Sequence, residues 1–204
     1  PMRRLRAILI WAALIAAVAW PIVLAAQSPL LAWRQPVYVA ASFSGILALG
    51  LFLVQPLLAA GHLPGLPARR GRRVHLWSGC AIVAALLIHV GGLWLTSPPD
   101  VVDALLFVSP TPFSAWGVLA LWALVGAALI AILRRKMRLP PRLWRLGHTM
   151  LVTLAVLFTG LHAMLIEGTL STVTKAVFCG LILAVVIKVL ADLRILSLVF
   201  RQSS

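Results

Sequence analysis

The chain has 204 residues, of which 62% are hydrophobic and 11% charged, with a mean hydropathy of +1.06 and a formal net charge of +14. This composition excludes an ordinary soluble domain and indicates a polytopic membrane protein. In a soluble protein the basic excess would indicate nucleic-acid binding. Here the basic residues flank apolar runs, which is the pattern of membrane topology, so we expect no nucleic-acid partner.

Six apolar runs are long enough to cross a bilayer as helices, which takes about 20 residues each. In chain order they cover approximately residues 7–27, 37–60, 74–95, 113–133, 146–166 and 173–190. The first run is longer than a signal-peptide core of about 7–15 residues, so we interpret it as a span. All six are too long for the strands of a membrane barrel. The sequence therefore predicts one domain over residues 1–204, an all-α integral membrane bundle of six transmembrane helices.

Basic residues collect on one side of this predicted bundle. They precede the first span, separate the second from the third and the fourth from the fifth, and end or follow the sixth: Arg3, Arg4, Arg6, Arg69, Arg70, Arg72, Arg73, Arg134, Arg135, Lys136, Arg138, Arg142, Arg145, Lys188, Arg194 and Arg201. The other side holds Arg34, Lys175 and three acids, Asp100, Asp103 and Glu167. Because basic loops remain in the cytoplasm, both termini are predicted to be cytoplasmic.

The connecting segments carry further signals. The segment 61–73 is rich in Pro, Gly and Arg and is predicted to be irregular, and Leu139–Pro141 is predicted to stop any helix there. The apolar centre of segment 96–112 is expected to lie on the membrane surface or to cap the bundle. Trp77 and Trp144 are typical of the aromatic belt at a membrane boundary.

Two pairs of histidines share one spacing. His75 and His89 are fourteen residues apart in the third run, and His148 and His162 are fourteen apart in the fifth. At about 100° per residue, a step of fourteen residues rotates to within roughly 40° of four full turns, so the two histidines of each pair share a helix face. They are separated by about 21 Å along the helix axis. The third and fifth helices run parallel. His75 is therefore predicted to lie level with His148, and His89 level with His162.

Four histidines in this arrangement fit bis-imidazole ligation of haem iron, with one ring on each side of the macrocycle. We predict an inner haem held by His75 and His148 and an outer haem held by His89 and His162, the four being axial ligands of iron. Histidines that only pack helices, or that line a proton or ion path, are the alternatives. Zinc is disfavoured because fourteen residues separate the two ligands of one helix too widely. His62 is interpreted as an interfacial residue, with a quinone or propionate contact as its alternative.

Residues near these histidines indicate how a haem could be held. Arg73 and Arg145 lie at the end expected for the inner haem and are candidate contacts of its propionates, although ordinary positive-inside charge explains them equally well. Gly79, Gly147 and Gly160 stand close to the histidines in sequence. We expect them to let a large flat ring approach the backbone.

The paired spacings, WRLGH at 144–148 and HAMLIEGT at 162–169 resemble the ferric reductase-like transmembrane domain family. The resemblance covers the second to the sixth helix. The family includes NADPH oxidases, ferric reductases and the haem-binding membrane subunit of the periplasmic methionine sulfoxide reductase system. The resemblance implies a six-helix bundle with two b-type haems.

The resemblance also implies partners. In the oxidases a fused FAD/NADPH domain supplies electrons, whereas the chain is more similar to stand-alone bacterial members of the inner (plasma) membrane. The implied donor is a separate cytosolic flavoprotein reductase carrying FAD or FMN, or a membrane quinol, and the implied acceptor is a periplasmic protein, a metal chelate or oxygen. We therefore expect a transmembrane di-haem cytochrome, the electron-transfer subunit of an oxidoreductase, surrounded by lipid. A transporter or proton-conducting protein, and a subunit that binds haem only structurally, are the alternatives.

Overall fold

The computed structural model describes residues 2–192, which form seven α-helices and no strand. The helices are α1 (Met2–Ala26), α2 (Pro36–Ala59), α3 (Ala68–Thr96), α4 (Pro98–Leu105), α5 (Pro112–Leu133), α6 (Pro141–Leu165) and α7 (Thr172–Asp192). All but α4 are long and apolar enough to cross a membrane. The predicted all-α, six-span architecture is confirmed, and the chain is a multi-pass membrane protein. Arg194 and Arg201, two of the basic residues on which the predicted topology depends, lie outside the described residues.

Two helices begin before their apolar runs. Because α3 starts at Ala68, the prediction of irregular structure as far as residue 73 was wrong, and the four arginines of that segment form the first turns of α3. Arginine is a good helix former, so a basic segment can extend a span beyond the apolar layer. Likewise α6 begins at Pro141, in the first turn where the fixed φ of proline suits a helix. The predicted break at Leu139–Pro141 is confirmed, because α5 ends at Leu133.

The spans are arranged as two antiparallel hairpins, α2 with α3 and α5 with α6, each pair in contact along its length. α1 packs against α2, while α7 packs against both α2 and α6 and so joins the hairpins. Phe178, Ile182 and Val186 recur every four residues on α7 and are buried together with Phe52 and Leu53 of α2. Helices in a bilayer associate through such close packing.

The alternating direction of the spans gathers the basic segments at one end of the bundle. We call this the arginine-rich end: α1, α3 and α6 begin there, and α2, α5 and α7 end there. Of the basic residues that the structure describes, only Arg34 and Lys175 lie at the opposite end, together with Asp100, Asp103 and Glu167.

The short helix α4 lies at the opposite end, between α3 and α5. The residues that follow it, Leu106, Phe107 and Val108, are all exposed. Exposed apolar side chains at the end of a bundle favour a position on the membrane surface over a cap on the bundle.

Candidate functional site

The four histidines of the predicted pairs all make the same kind of hydrogen bond. In each, Nδ1 contacts a backbone carbonyl of the preceding helix in its hairpin: His75 with Gln55 at 3.3 Å, His89 with Ala41 at 2.8 Å, His148 with Ala127 at 3.0 Å and His162 with Phe113 at 2.8 Å. A carbonyl oxygen only accepts hydrogen bonds. The proton of a neutral imidazole in this position therefore belongs on Nδ1.

The position of this proton decides what the second ring nitrogen can do. A neutral imidazole protonated at Nδ1 keeps its lone pair on Nε2. Within residues 2–192, none of the four Nε2 atoms makes a hydrogen bond. Histidines that bind metals typically donate the other ring N–H to a carbonyl or carboxylate, which orients the ring and raises its basicity. All four imidazoles thus have the hydrogen-bonding arrangement that a metal ligand binding through Nε2 would need.

The acceptor carbonyls repeat the spacing of the histidines. Ala41 and Gln55 are fourteen residues apart on α2, and Phe113 and Ala127 are fourteen apart on α5. The hairpins α2–α3 and α5–α6 are therefore structural repeats, each presenting two anchored imidazoles about four turns apart. The amino-acid sequence displays this repeat in the histidines alone, because a backbone acceptor does not constrain the residue type.

The rings of His89 and His162 bring the two repeats together. Their centroids lie 6.4 Å apart and their planes are at 84°. An iron between two imidazoles needs about 2 Å to each nitrogen and roughly 1 Å more to each ring centre, or about 6 Å in total. The observed separation fits a bis-imidazole site. His75 and His148 occupy the corresponding positions, fourteen residues nearer the arginine-rich end.

Two glycines on the facing helices make room for these rings. A Cβ atom on Gly45 of α2 would lie 2.9 Å from Nδ1 of His89, and one on Gly117 of α5 would lie 2.7 Å from Nδ1 of His162. Both separations are too short for atoms that are not bonded. Glycine at these positions is therefore what allows each ring to lie against its neighbouring helix and reach the carbonyl there.

The three glycines that stand close to the histidines in sequence, Gly79, Gly147 and Gly160, do not face a histidine ring. A Cβ on Gly79 would meet Nε2 of Gln55 at 3.1 Å, and one on Gly147 would meet the side chain of Ile130 at 2.9 Å. One on Gly160 would meet nothing within 4 Å. None of the three meets a histidine ring, and their role in letting a haem approach the backbone stays a prediction.

The histidines nearer the arginine-rich end have more polar surroundings. Nε2 of Gln55 donates to the backbone carbonyl of His75 at 3.2 Å, while its Oε1 is buried without a partner among the described residues. The Trp144 ring lies 5.9 Å from the His148 ring, and the guanidinium carbon of Arg134 lies 4.5 Å from the Trp144 ring centroid. Arg134 therefore makes a cation–π contact with the Trp144 ring that lies beside His148, a role that its position in a basic loop did not indicate.

The predicted propionate contacts, Arg73 and Arg145, are both exposed at the arginine-rich end. Nε of Arg145 donates to the carbonyl of Pro141 at 3.0 Å on its own helix, and Arg73 lines a surface hollow at the start of α3. Their contact with a propionate stays a prediction.

His62 stands apart from the two pairs. It follows Gly61, whose φ of 69° closes α2 with a hydrogen bond from His62 N to the carbonyl of Leu57 at 3.0 Å. Nε2 of His62 lies 3.2 Å from Oδ2 of Asp192, which also accepts from Nζ of Lys188 at 2.8 Å. His62 thus connects the end of α2 to the end of α7.

The side chains available as metal ligands limit which metal ion or metal cofactor this bundle could hold. Nowhere in the part of the chain that the structure describes do three His, Cys, Asp or Glu side chains cluster closely enough to bind a bare metal ion. A metal held by two imidazoles needs its remaining ligands from another molecule, and a haem macrocycle supplies them from its own nitrogens. The residues present therefore fit haem and do not fit zinc.

The chain is a six-span membrane bundle in which two hairpins present four anchored imidazoles, and bundle interiors are where cofactor sites are commonly built. The family model described as ferric reductase like transmembrane component matches residues 44–159, more than half of the chain. The chain belongs to the ferric reductase-like transmembrane domain family, whose domains generally bind haem and function in membrane electron transfer. The matched segment contains His75, His89 and His148 and ends shortly before His162. Curated proteins and solved structures gave no match to the chain.

Proposed function

We propose that the chain is a di-haem b-type cytochrome that passes electrons across the membrane. His75 and His148 would ligate the haem nearer the arginine-rich end, and His89 and His162 the haem nearer the opposite end. Bound haem supplies a reversible one-electron couple. The observation that carries this proposal is the fourfold hydrogen bond from Nδ1 to a backbone carbonyl, which leaves four Nε2 atoms available as ligands.

The protein's contribution is to fix and tune the ligands. The carbonyls of α2 and α5 hold each ring in one tautomer and one orientation, so little reorganisation accompanies a change in the charge of a bound metal. The two histidines of each helix are about 21 Å apart along the axis, which covers most of a hydrocarbon core of about 30 Å. Two such sites in series would connect the two faces of the bilayer.

The charge asymmetry of the bundle supports an orientation for this transfer. The arginine-rich end would face the cytoplasm, in the bacterial inner membrane. Electrons would then enter near His75 and His148 from a cytosolic flavoprotein reductase with FAD or FMN, or from a quinol. They would leave near His89 and His162 to a periplasmic protein or a small-molecule acceptor.

The transporter alternative requires the imidazoles to exchange protons or ions along a path. Each of the four instead has its Nδ1 occupied by a backbone carbonyl. A hydrogen bond to a carbonyl orients a ligand but does not relay a proton, because the carbonyl accepts no proton at ordinary pH. The observed bonds therefore favour ligation over conduction.

Electron transfer across a sealed vesicle tests the proposal. The purified haem-loaded protein is reconstituted into liposomes that contain ferricyanide, and dithionite is added outside. We expect the trapped ferricyanide to be reduced faster than in liposomes without protein. His89→Ala should abolish the increase in the rate of ferricyanide reduction. His62→Ala should preserve it, because His62 lies outside both pairs.

A haem-loaded protein that reduces no trapped ferricyanide would show that its haem is only structural. A haem-free protein that supports proton or ion flux in the same vesicles would establish the transporter alternative instead.

A further inference from the structure

Lys175 is the one charged side chain that is buried within residues 2–192, with 8% of its surface exposed. It lies in the first turn of α7, at the end of the bundle opposite the arginine-rich end. Its Nζ donates to the carbonyl of Met164 at 3.3 Å and also to the carbonyl of Ile166. Burying an ammonium group costs free energy unless the charge is paired or hydrogen-bonded. The burial of Lys175 therefore needs a physical explanation.

The two carbonyls that Lys175 contacts belong to the end of the helix that carries His162. α6 ends at Leu165, and the last turn is closed by a hydrogen bond from Ile166 N to the carbonyl of His162 at 3.2 Å. The last carbonyls of a helix have no partner within the helix and carry partial negative charge. Lys175 therefore caps α6 one turn beyond His162 and attaches that turn to α7.

No carboxylate neutralises this ammonium in the part of the chain that the structure describes. The ion pairs among the described residues join His62 and Lys188 to Asp192, at the other end of α7, and neither includes Lys175. The nearest acid in sequence, Glu167, is exposed and makes no ion pair with it. Lys175 thus places a full positive charge, offset only by the partial charge of a helix end, beside the turn that holds His162.

We propose that Lys175 is a positioning residue for the His89–His162 site: it fixes the end of α6 that carries His162, and its buried charge favours the reduced state of the group held there. The inference rests on the proposed function. Reduction adds an electron to the site, and a cation in a medium of low dielectric constant stabilises that electron with little screening by solvent. The charge therefore raises the reduction potential of this site relative to the other and favours transfer toward it.

Three substitutions separate the charge of Lys175 from its hydrogen bonds. Lys175→Arg retains the charge and the donors, Lys175→Gln retains donors without charge, and Lys175→Met removes both. Lys188→Met is the matched control, because Lys188 is an exposed lysine near the other end of the same helix. The measurement is a potentiometric titration of the purified, haem-loaded protein, followed by the absorbance of the reduced haems.

We expect Lys175→Gln and Lys175→Met to lower the midpoint potential of the haem held by His89 and His162 and to leave the other haem unchanged. Lys175→Arg and Lys188→Met should leave both midpoints in place. Unchanged midpoints in Lys175→Gln would overturn the proposal, and so would an equal shift of both haems. Lys175→Gln carries the test if Lys175→Met does not accumulate in membranes.

A thermal melt of each variant measures the capping role separately. We expect the melting temperature to fall in Lys175→Met more than in Lys175→Gln, and equal losses would contradict the capping role. Failure of the proposed function has a different signature: the wild-type protein would contain no haem to titrate, or its haem would titrate but reduce no ferricyanide trapped in liposomes.

Discussion

The imidazole rings of His89 and His162 come from different hairpins, yet their centroids lie 6.4 Å apart with the ring planes at 84°. Each ring is also held at Nδ1 by a carbonyl 2.8 Å away on its own hairpin. Neither ring can rotate freely without losing that hydrogen bond. The two hairpins therefore present two oriented imidazole rings at the separation that the proposed haem site would require.

Gly45→Ala and Gly117→Ala are predicted to damage the His89–His162 site selectively. The added methyl group would overlap the facing ring, which must move and weaken its bond to the carbonyl. We expect each variant to lose or perturb one haem of two, with a stability cost of about 1–3 kcal/mol. Haem content per protein and the spectrum of the remaining haem provide the measurement.

Gly91→Ala is the matched control for both glycines. Gly91 lies on α3 two residues after His89, and a Cβ there would meet nothing within 4 Å. Alanine is favoured over glycine in a helix interior by roughly 0.5–1 kcal/mol, so this variant should retain both haems and full stability. Equal haem loss in Gly91→Ala and Gly45→Ala would show that the contact with His89 is irrelevant.

The four histidines are predicted to behave as two pairs across the hairpins. His75→Ala and His148→Ala should affect one spectral component, and His89→Ala and His162→Ala the other. The double variant His89→Ala/His162→Ala should retain as much haem as either single variant, because removing one axial ligand already breaks the site. Haem loss that instead groups His75 with His89 would contradict the assignment of ligands.

Trp144→Leu is predicted to perturb the haem at His148 and to leave the other haem intact. The substitution removes the ring that lies between Arg134 and His148, together with a cation–π contact of about 0.5–2 kcal/mol. A shift in the spectrum or midpoint potential of one component is the expected result. Trp122→Leu is the control, because Trp122 is 58% exposed on the bundle surface and should change neither haem.

The spans and the shared helix face of each fourteen-spaced histidine pair were predictable from sequence. The first depends on the length of an apolar run and the second on the period of an α-helix. A bilayer of fixed thickness requires a long apolar run for each span, so hydropathy located all six helices. The period of an α-helix then placed each fourteen-spaced pair on one face. Helix ends were less predictable: α3 extends through Arg69–Arg73 because arginines tolerate helical structure at the edge of the apolar layer.

The partners of the histidines were not predictable in the same way. The carbonyls of Ala41, Gln55, Phe113 and Ala127 accept the hydrogen bonds, and a backbone acceptor places no constraint on residue type that one sequence would display. Gly45 and Gly117 did leave a signal. They precede His89 and His162 by nearly equal intervals, as expected for two antiparallel hairpins of similar length. Only knowledge of which helices pair reveals that glycine and histidine meet.

The haem stoichiometry of the purified protein tests the central claim most directly. The protein is produced with ample haem, purified in detergent and shown to be folded, and its haem is then quantified together with a reduced-minus-oxidised spectrum. We predict two haems of b type for each chain, both with the spectrum of iron ligated by two imidazoles. A folded preparation without haem would contradict the proposal that the protein is a cytochrome. If the protein contains one haem, and that haem remains when His75 or His148 is replaced, there is no haem site at His75 and His148.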